Sequence, residues 1–204
     1  MSSAPLSLMG AIELAGASME ESQDLIARAR GGDEDAFRHI FERYTLPVVH
    51  FIYCMVNVRS EAEELAQETF VRAFHGMKAL RDQSRLSTWL FGIARNVAHE
   101  ALRANRRNSR QIAIDEAEAM SDDKPSPAGE LLDKELKSVV RNALAMLDED
   151  KRAVFVLKVY QQLSYDEISQ ITGFSIPKVR NDLYRARAEM RLRLSEYLGA
   201  SYEM

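Results

Sequence analysis

The stretch from Leu163 to Arg193, LSYDEISQITGFSIPKVRNDLYRARAEMRLR, admits few folds. Ser164 followed three residues later by Glu167 reads as a capping box, which starts a helix by satisfying its first free amides reciprocally. Ile168 and Ile171 give that helix an inner face. Gly173 follows where a tight interhelical turn needs a permissive backbone. Ser175 caps a second helix, and Pro177 suits its first turn, where an N–H would have no helical partner. Val179, Leu183, Ala186 and Met190 then form one apolar stripe, leaving Lys178, Arg180, Asn181, Tyr184 and Arg185 on the other side. Two helices joined by a tight turn are expected, the second offering cations and amides outward, as reading duplex DNA in the major groove requires. Asp182 fits that role poorly; it is better paired with a nearby arginine or turned aside than set against a phosphate.

Helical periodicity runs through nearly all the rest, helped by only 9 glycines and 5 prolines in 204 residues. Asp24 to Arg30 reads as a short helix stopped by Gly31 and Gly32. Asp33 caps the next, which carries Ala36, Phe37, Ile40, Phe41 and Tyr44 at spacings of three and four. Pro47 either kinks that helix or begins a new one, and Val48 to Val58 continues the apolar pattern. From Ser60, Ala62, Leu65, Ala66, Thr69, Phe70, Ala73 and Phe74 form one stripe, with Ser60 and Glu63 as a capping box. Glu61 and Glu64 suit a helix N-terminus. That role does not explain Gln67 and Glu68, which point to a partner-binding face. His75 to Ser87 lacks a helical period and reads as a loop. Ser87 or Thr88 then caps a long helix reaching about Arg107, with Trp89, Leu90, Ile93 and Val97 inside and Arg95, Asn96, His99, Arg103 and Arg106 on other faces. Gly92 sits within it.

Residues 108–129 contain SDDKPSPAG and read as a flexible acidic linker. A second block begins near Glu130 with Leu131, Leu132, Leu136, Val139, Val140, Ala143, Leu144 and Leu147, after which Asp148 or Asp150 caps a further helix. The expected fold is all-α: two small helical domains, 24–107 and 130–204, the second containing the helix-turn-helix. Residues 1–23 are expected to be a disordered extension, and Met19 is a candidate natural start because it opens the first orderly helical pattern.

The formal net charge of −4 argues weakly against nucleic acid, but its distribution reverses that argument. Arg85 to Arg110 holds six arginines against one acid, and Lys178 to Arg193 six bases against two acids. Between them Asp115 to Glu135 holds eight acids and two lysines. The single cysteine, Cys54, excludes an internal disulfide framework and fits a reducing compartment. No apolar run is long enough to span a membrane, and Met1 to Pro5 lacks the basic start of a secretory signal, so a cytoplasmic location is expected. No phosphate-cradling glycine loop or nucleophile motif points to an enzyme, and no cofactor is expected. His50 and Cys54 share a helix face without a second ligand pair, which favours core packing over a metal. The alternative within DNA binding is an autonomous helix-turn-helix regulator, which would give no reason for the Gln67–Glu68 face or the Gln83–Arg107 block.

SEAEELAQETFVRAF with LSTWLFGIARNVAHEALRANRR resembles the core of the extracytoplasmic-function (ECF) group of bacterial RNA polymerase sigma factors, and Leu163 to Leu194 resembles their second DNA-binding domain. The resemblance covers about Asp24 to Tyr197. It implies a transcription initiation factor whose partners are core RNA polymerase, promoter DNA and an anti-sigma factor. It assigns Glu64, Gln67 and Glu68 to polymerase. It assigns Leu80, Arg81, Asp82, Gln83, Ser84, Arg85 and Ser87, with Asn96, His99, Arg103 and Arg106, to melting and reading the minus-ten promoter motif, the loop holding a flipped base. Ser175, Lys178, Arg180, Asn181, Tyr184, Arg185 and Arg187 fall to the minus-thirty-five motif. Gly92 and Asp182 depart from the family pattern, each standing where a basic residue is common.

Overall fold

The computed structural model describes residues 19–80, 85–112 and 138–202, and among these there is no strand. In chain order the helices are α1 (Met19–Arg30), α2 (Glu34–Val56), α3 (Arg59–Gly76), a 3-10 turn (Met77–Ala79), α4 (Leu86–Ile112), α5 (138–145), α6 (Glu149–Val159), α7 (Tyr165–Thr172) and α8 (Ile176–Tyr202). Most of the expected extension, most of the linker and the segment 81–84 lie outside the described residues.

Local chemistry sets several of the boundaries. The Asp33 carboxylate accepts from the Ala36 amide at 3.0 Å, and Asp33 also pairs with Arg28 at the end of α1. Pro47 lies inside α2, which runs through it without a break in assignment. Asn57 ends α2 at φ 64°, a left-handed conformation that asparagine tolerates better than most side chains, and its amide donates to the Tyr53 carbonyl at 2.8 Å. Asp148 starts α6 by accepting from the Asp150 amide.

Three expectations are corrected. α3 begins at Arg59, with Val58 as an N-cap lacking a side-chain bond, so Ser60 is not the cap. Glu63 instead takes the Arg59 guanidinium at 3.0 Å. α4 begins at Leu86, ahead of Ser87 and Thr88, and Thr88 is buried. The segment after Phe74 is not all loop, because α3 reaches Gly76 and the 3-10 turn follows.

Val48, Phe51, Ile52 and Met55 of α2 are fully buried, and Phe51 meets Phe91 of α4 edge-on at 5.7 Å. Val154, Val156, Leu157, Ile168, Val179 and Ala186 are fully buried in the second half. The core is continuous across the two halves, since α2 packs on α6 and α4 packs on α7. Gly92 faces open space: a Cβ there would meet no atom within 4 Å. Gly92→Ala is therefore expected to stabilise the fold by roughly 0.5–1 kcal/mol through helix propensity alone. Chemical denaturation checks this, and an unchanged midpoint would mean that α4 gains nothing there.

Candidate nucleic-acid and polymerase interfaces

Three faces carry the candidate residues. On α3, Ala62, Ala66, Thr69, Phe70 and Ala73 are buried, which turns Glu64, Gln67 and Glu68 outward, all exposed. Glu68 holds Arg72 at 2.8 Å, and Arg72 reaches Glu100 of α4 at 2.9 Å. These two carboxylates raise the Arg72 pKa. Val71 and Phe74 are also exposed, at 51% and 44%. The helical spacing places Phe74 inside the stripe. It instead stands at its edge and meets the Phe37 ring at 5.0 Å. The sequence signal for Val71, an apolar residue among polar ones on the outer side, was present but ambiguous.

The second face belongs to α4 and the segment before it. Arg81, Asp82, Gln83 and Ser84 lie outside the described residues. Leu80 is buried, Ser87 half-buried, and Asn96, Arg103 and Arg106 are exposed. This face is turned toward the C-terminal half. Arg85 donates to Gln170 of α7 at 3.2 Å, and Arg95 stacks over the Phe174 ring at 5.5 Å. Arg106 is bonded to the Glu149 carboxylate, whose other oxygen is 3.8 Å from His99 Nδ1. A cavity of about 460 Å³ lies between α4 and α7, lined on one side by Leu80, Arg85, Trp89, Gly92 and Asn96 and on the other by Gln170 and Ile171.

Burial lowers the His99 pKa, and the Arg95 charge adds to the effect, against an opposite pull from Asp150; Arg103 and Arg106 lower it further. The sign follows. The folded chain disfavours the imidazolium, so an unfolded chain takes up the proton first as pH falls through the ordinary histidine range, about 6.5. This contribution costs nothing above that range and destabilises below it. Melting temperature is expected to drop between pH 7.5 and 5.5, and His99→Gln is expected to flatten part of that drop. Identical slopes in the two proteins would remove His99 as the cause.

The third face is the outer side of α8. The helix-turn-helix forms as its sequence indicates. The Ser164–Glu167 capping box is complete, Gly173 takes φ 73°, and the Lys178 amide reaches Ser175 Oγ at 3.4 Å. Arg180, Asn181, Tyr184, Arg185 and Arg187 are exposed, Tyr184 at 75%. Arg180 lies over the Tyr165 ring at 5.3 Å. Lys178 does not join this face. Its ammonium sits 2.5 Å from Asp182, 3.2 Å from Asp150 and 3.8 Å from the Phe174 ring centre. Burial opposes its charge, but the two carboxylates outweigh burial and raise its pKa. Asp182 is turned aside and buried, and its partner is Lys178 and not an arginine.

His50 and Cys54 approach to 3.8 Å, and the His50 ring meets Tyr160 edge-on at 4.8 Å. Burial pushes the Cys54 thiol up to about 12. Among the described residues no helix is long and apolar enough to cross a membrane.

Residues 40–108 match the family description Sigma-70 region 2, and residues 137–190 match Sigma-70, region 4. The ECF RNA polymerase sigma-E factor of Haemophilus influenzae is 30% identical over 172 residues, 81% of this chain and 90% of that protein. The RNA polymerase sigma-H factor of Pseudomonas aeruginosa is 29% identical over 177 residues, 83% and 92% of the two chains. Two solved structures share the fold. One is CnrH in complex with the cytosolic domain of CnrY, with TM-score 0.64, 23% identity, and coverage of 86% of this chain and 97% of that one. The other is the sigma factor RpoE in complex with the anti-sigma factor NepR from Bartonella quintana, with TM-score 0.62, 24% identity, and coverage of 78% and 96%.

Proposed function

The chain belongs to the ECF family of RNA polymerase sigma factors, and from that premise we propose how its residues divide the work. Residues 24–107 dock on core RNA polymerase and open the minus-ten motif, and residues 130–204 read the minus-thirty-five motif as duplex. An autonomous regulator is set aside, because residues 40–108 are accounted for as sigma region 2. Such a factor directs initiation and leaves bond-making to the polymerase, so no catalytic residue is assigned to it. It acts in the cytoplasm, where polymerase and promoter are.

The observation that carries the polymerase assignment is the outer face of α3. Glu64, Gln67 and Glu68 stand exposed beside exposed Val71 and Phe74. An apolar centre rimmed by acid and amide groups is suited to a protein partner. Arg85, Ser87, Asn96, His99, Arg103 and Arg106, with Leu80 and the residues 81–84, form the minus-ten set. Ser175, Arg180, Asn181, Tyr184, Arg185 and Arg187 form the minus-thirty-five set, with Lys178 as its internal support. An anti-sigma factor is the proposed regulator, supported by the two structural neighbours solved as complexes with CnrY and NepR.

Co-elution of the full chain with core RNA polymerase tests this reading. The double variant Gln67→Ala, Glu68→Ala is expected to lose co-elution while keeping its thermal melt, because exposed ion pairs such as Glu68–Arg72 contribute little to stability. Full retention of polymerase by the variant would take these residues off the interface. Failure of the unaltered, folded chain to bind would overturn the assignment of α3.

A further inference from the structure

In this structure part of the candidate minus-ten face of α4, around Arg95 and His99, lies against the chain's own C-terminal half, while Asn96 and Arg103 stay exposed. Glu149 brings one carboxylate to both His99 and Arg106. Gln170 accepts from Arg85, and Phe174 lies under Arg95. Arg85 and Arg106 are cations of the minus-ten set, Arg95 stands beside them, and His99 offers a ring nitrogen. We propose that the α6–α7 surface is an internal competitor for the promoter strand, with the Glu149 carboxylate standing where a backbone phosphate would sit. The proposal rests on the assignment of α4 to minus-ten DNA made above.

Two features favour a cover made to be displaced over a permanent interface. First, it leaves polar atoms unmet: Arg95 Nε and His99 Nε2 are buried without a hydrogen-bond partner. A buried polar group without a partner loses its hydration with no return, so the covered state carries a penalty that bound DNA can relieve. Second, the central contact has the right chemistry for exchange. A carboxylate and a phosphate are both oxyanions for guanidinium, but a strand brings several phosphates and releases counterions when bound. Glu149 also lies in the first turn of α6, where an acid is favoured in its own right, so the competitor is fixed in place before any contact with α4. A cover of this kind lowers apparent DNA affinity by the fraction of molecules that are open.

The test uses the full chain, with Trp89, its single tryptophan, as the reporter, because Trp89 lines the α4–α7 cavity. Glu149→Gln removes the charge and keeps the side-chain shape. Gln170→Arg sets a cation against Arg85 and opens the cover by an independent route. Both variants are expected to keep the helical circular-dichroism spectrum and to shift Trp89 emission to the red. Both are expected to bind a fluorescein-labelled random-sequence 20-nucleotide single strand about tenfold more tightly at low salt. Unchanged emission in both variants overturns the proposal, even if affinity rises, since tighter binding would then follow from charge alone. A red shift without tighter binding overturns it differently, by showing that α4 does not hold the strand and that the minus-ten assignment fails with it.

Discussion

Arg152→Met is expected to destabilise the folded chain by about 3 kcal/mol or more, among the largest effects of any single polar substitution here. Arg152 is 9% exposed, and its guanidinium donates to three carbonyls: Met55 at 2.6 Å, Ala145 at 2.6 Å and Leu147 at 2.9 Å. Burial works against its charge, with Cys54 and Asp148 pulling the other way. Among the described residues no carboxylate bonds it. Its charge is met by carbonyls at the ends of α2 and α5, where helix dipoles concentrate negative charge. Methionine keeps much of the apolar stem and removes every donor, so these carbonyls lose their partner in a site with little water. The bond to Met55 also crosses from the second half of the chain to the first, so the variant is expected to loosen the α2–α6 packing. Chemical denaturation with a helical readout checks the size. A loss under about 1 kcal/mol would mean that water replaces the guanidinium without strain.

What was legible in the sequence and what was not divides by range. The capping box at Ser164 and Glu167, the turn at Gly173 and the Asp33 cap depend on atoms a few residues apart, and all formed as the sequence indicates. Ser60 and Glu63 show the same spacing, yet α3 starts at Arg59 and Glu63 turns to Arg59. A local pattern decides a boundary only when nothing nearby competes for the same side chain. The cover over α4 was illegible for a stronger reason. Arg95, His99 and Arg106 read as a solvent or DNA face from their own helix, and Glu149 as an acid suited to a helix start. Both readings hold on local grounds, but the pair they form with each other spans a linker whose length gives no hint of contact. The Lys178 pairing is a similar case. The lysine's place away from the apolar stripe follows from the α8 pattern, but Asp150 comes from α6, and no periodicity within α8 announces it.

Lys178 and Arg180 are accordingly expected to separate when each is replaced by alanine, although both are basic residues at the start of the same helix. Arg180→Ala is expected to weaken binding to a duplex carrying the chain's own minus-thirty-five motif by roughly 1–3 kcal/mol if Arg180 pairs with a base edge, with relaxed discrimination at one position. Its folded stability should hardly change, because the side chain is exposed and its contact with the Tyr165 ring is worth about 0.5–1 kcal/mol at such a site. Lys178→Ala should behave in the opposite way. It leaves Asp182, only 8% exposed, without its cation, and removes the ion pair between α8 and Asp150 of α6. Thermal melting should show the loss for Lys178→Ala, and a panel of single-base duplex variants should show a change of preference only for Arg180→Ala. If Lys178→Ala changed base preference at full stability, the ammonium would have to leave both carboxylates on binding DNA, and α8 would read the promoter in an arrangement different from the one it holds here.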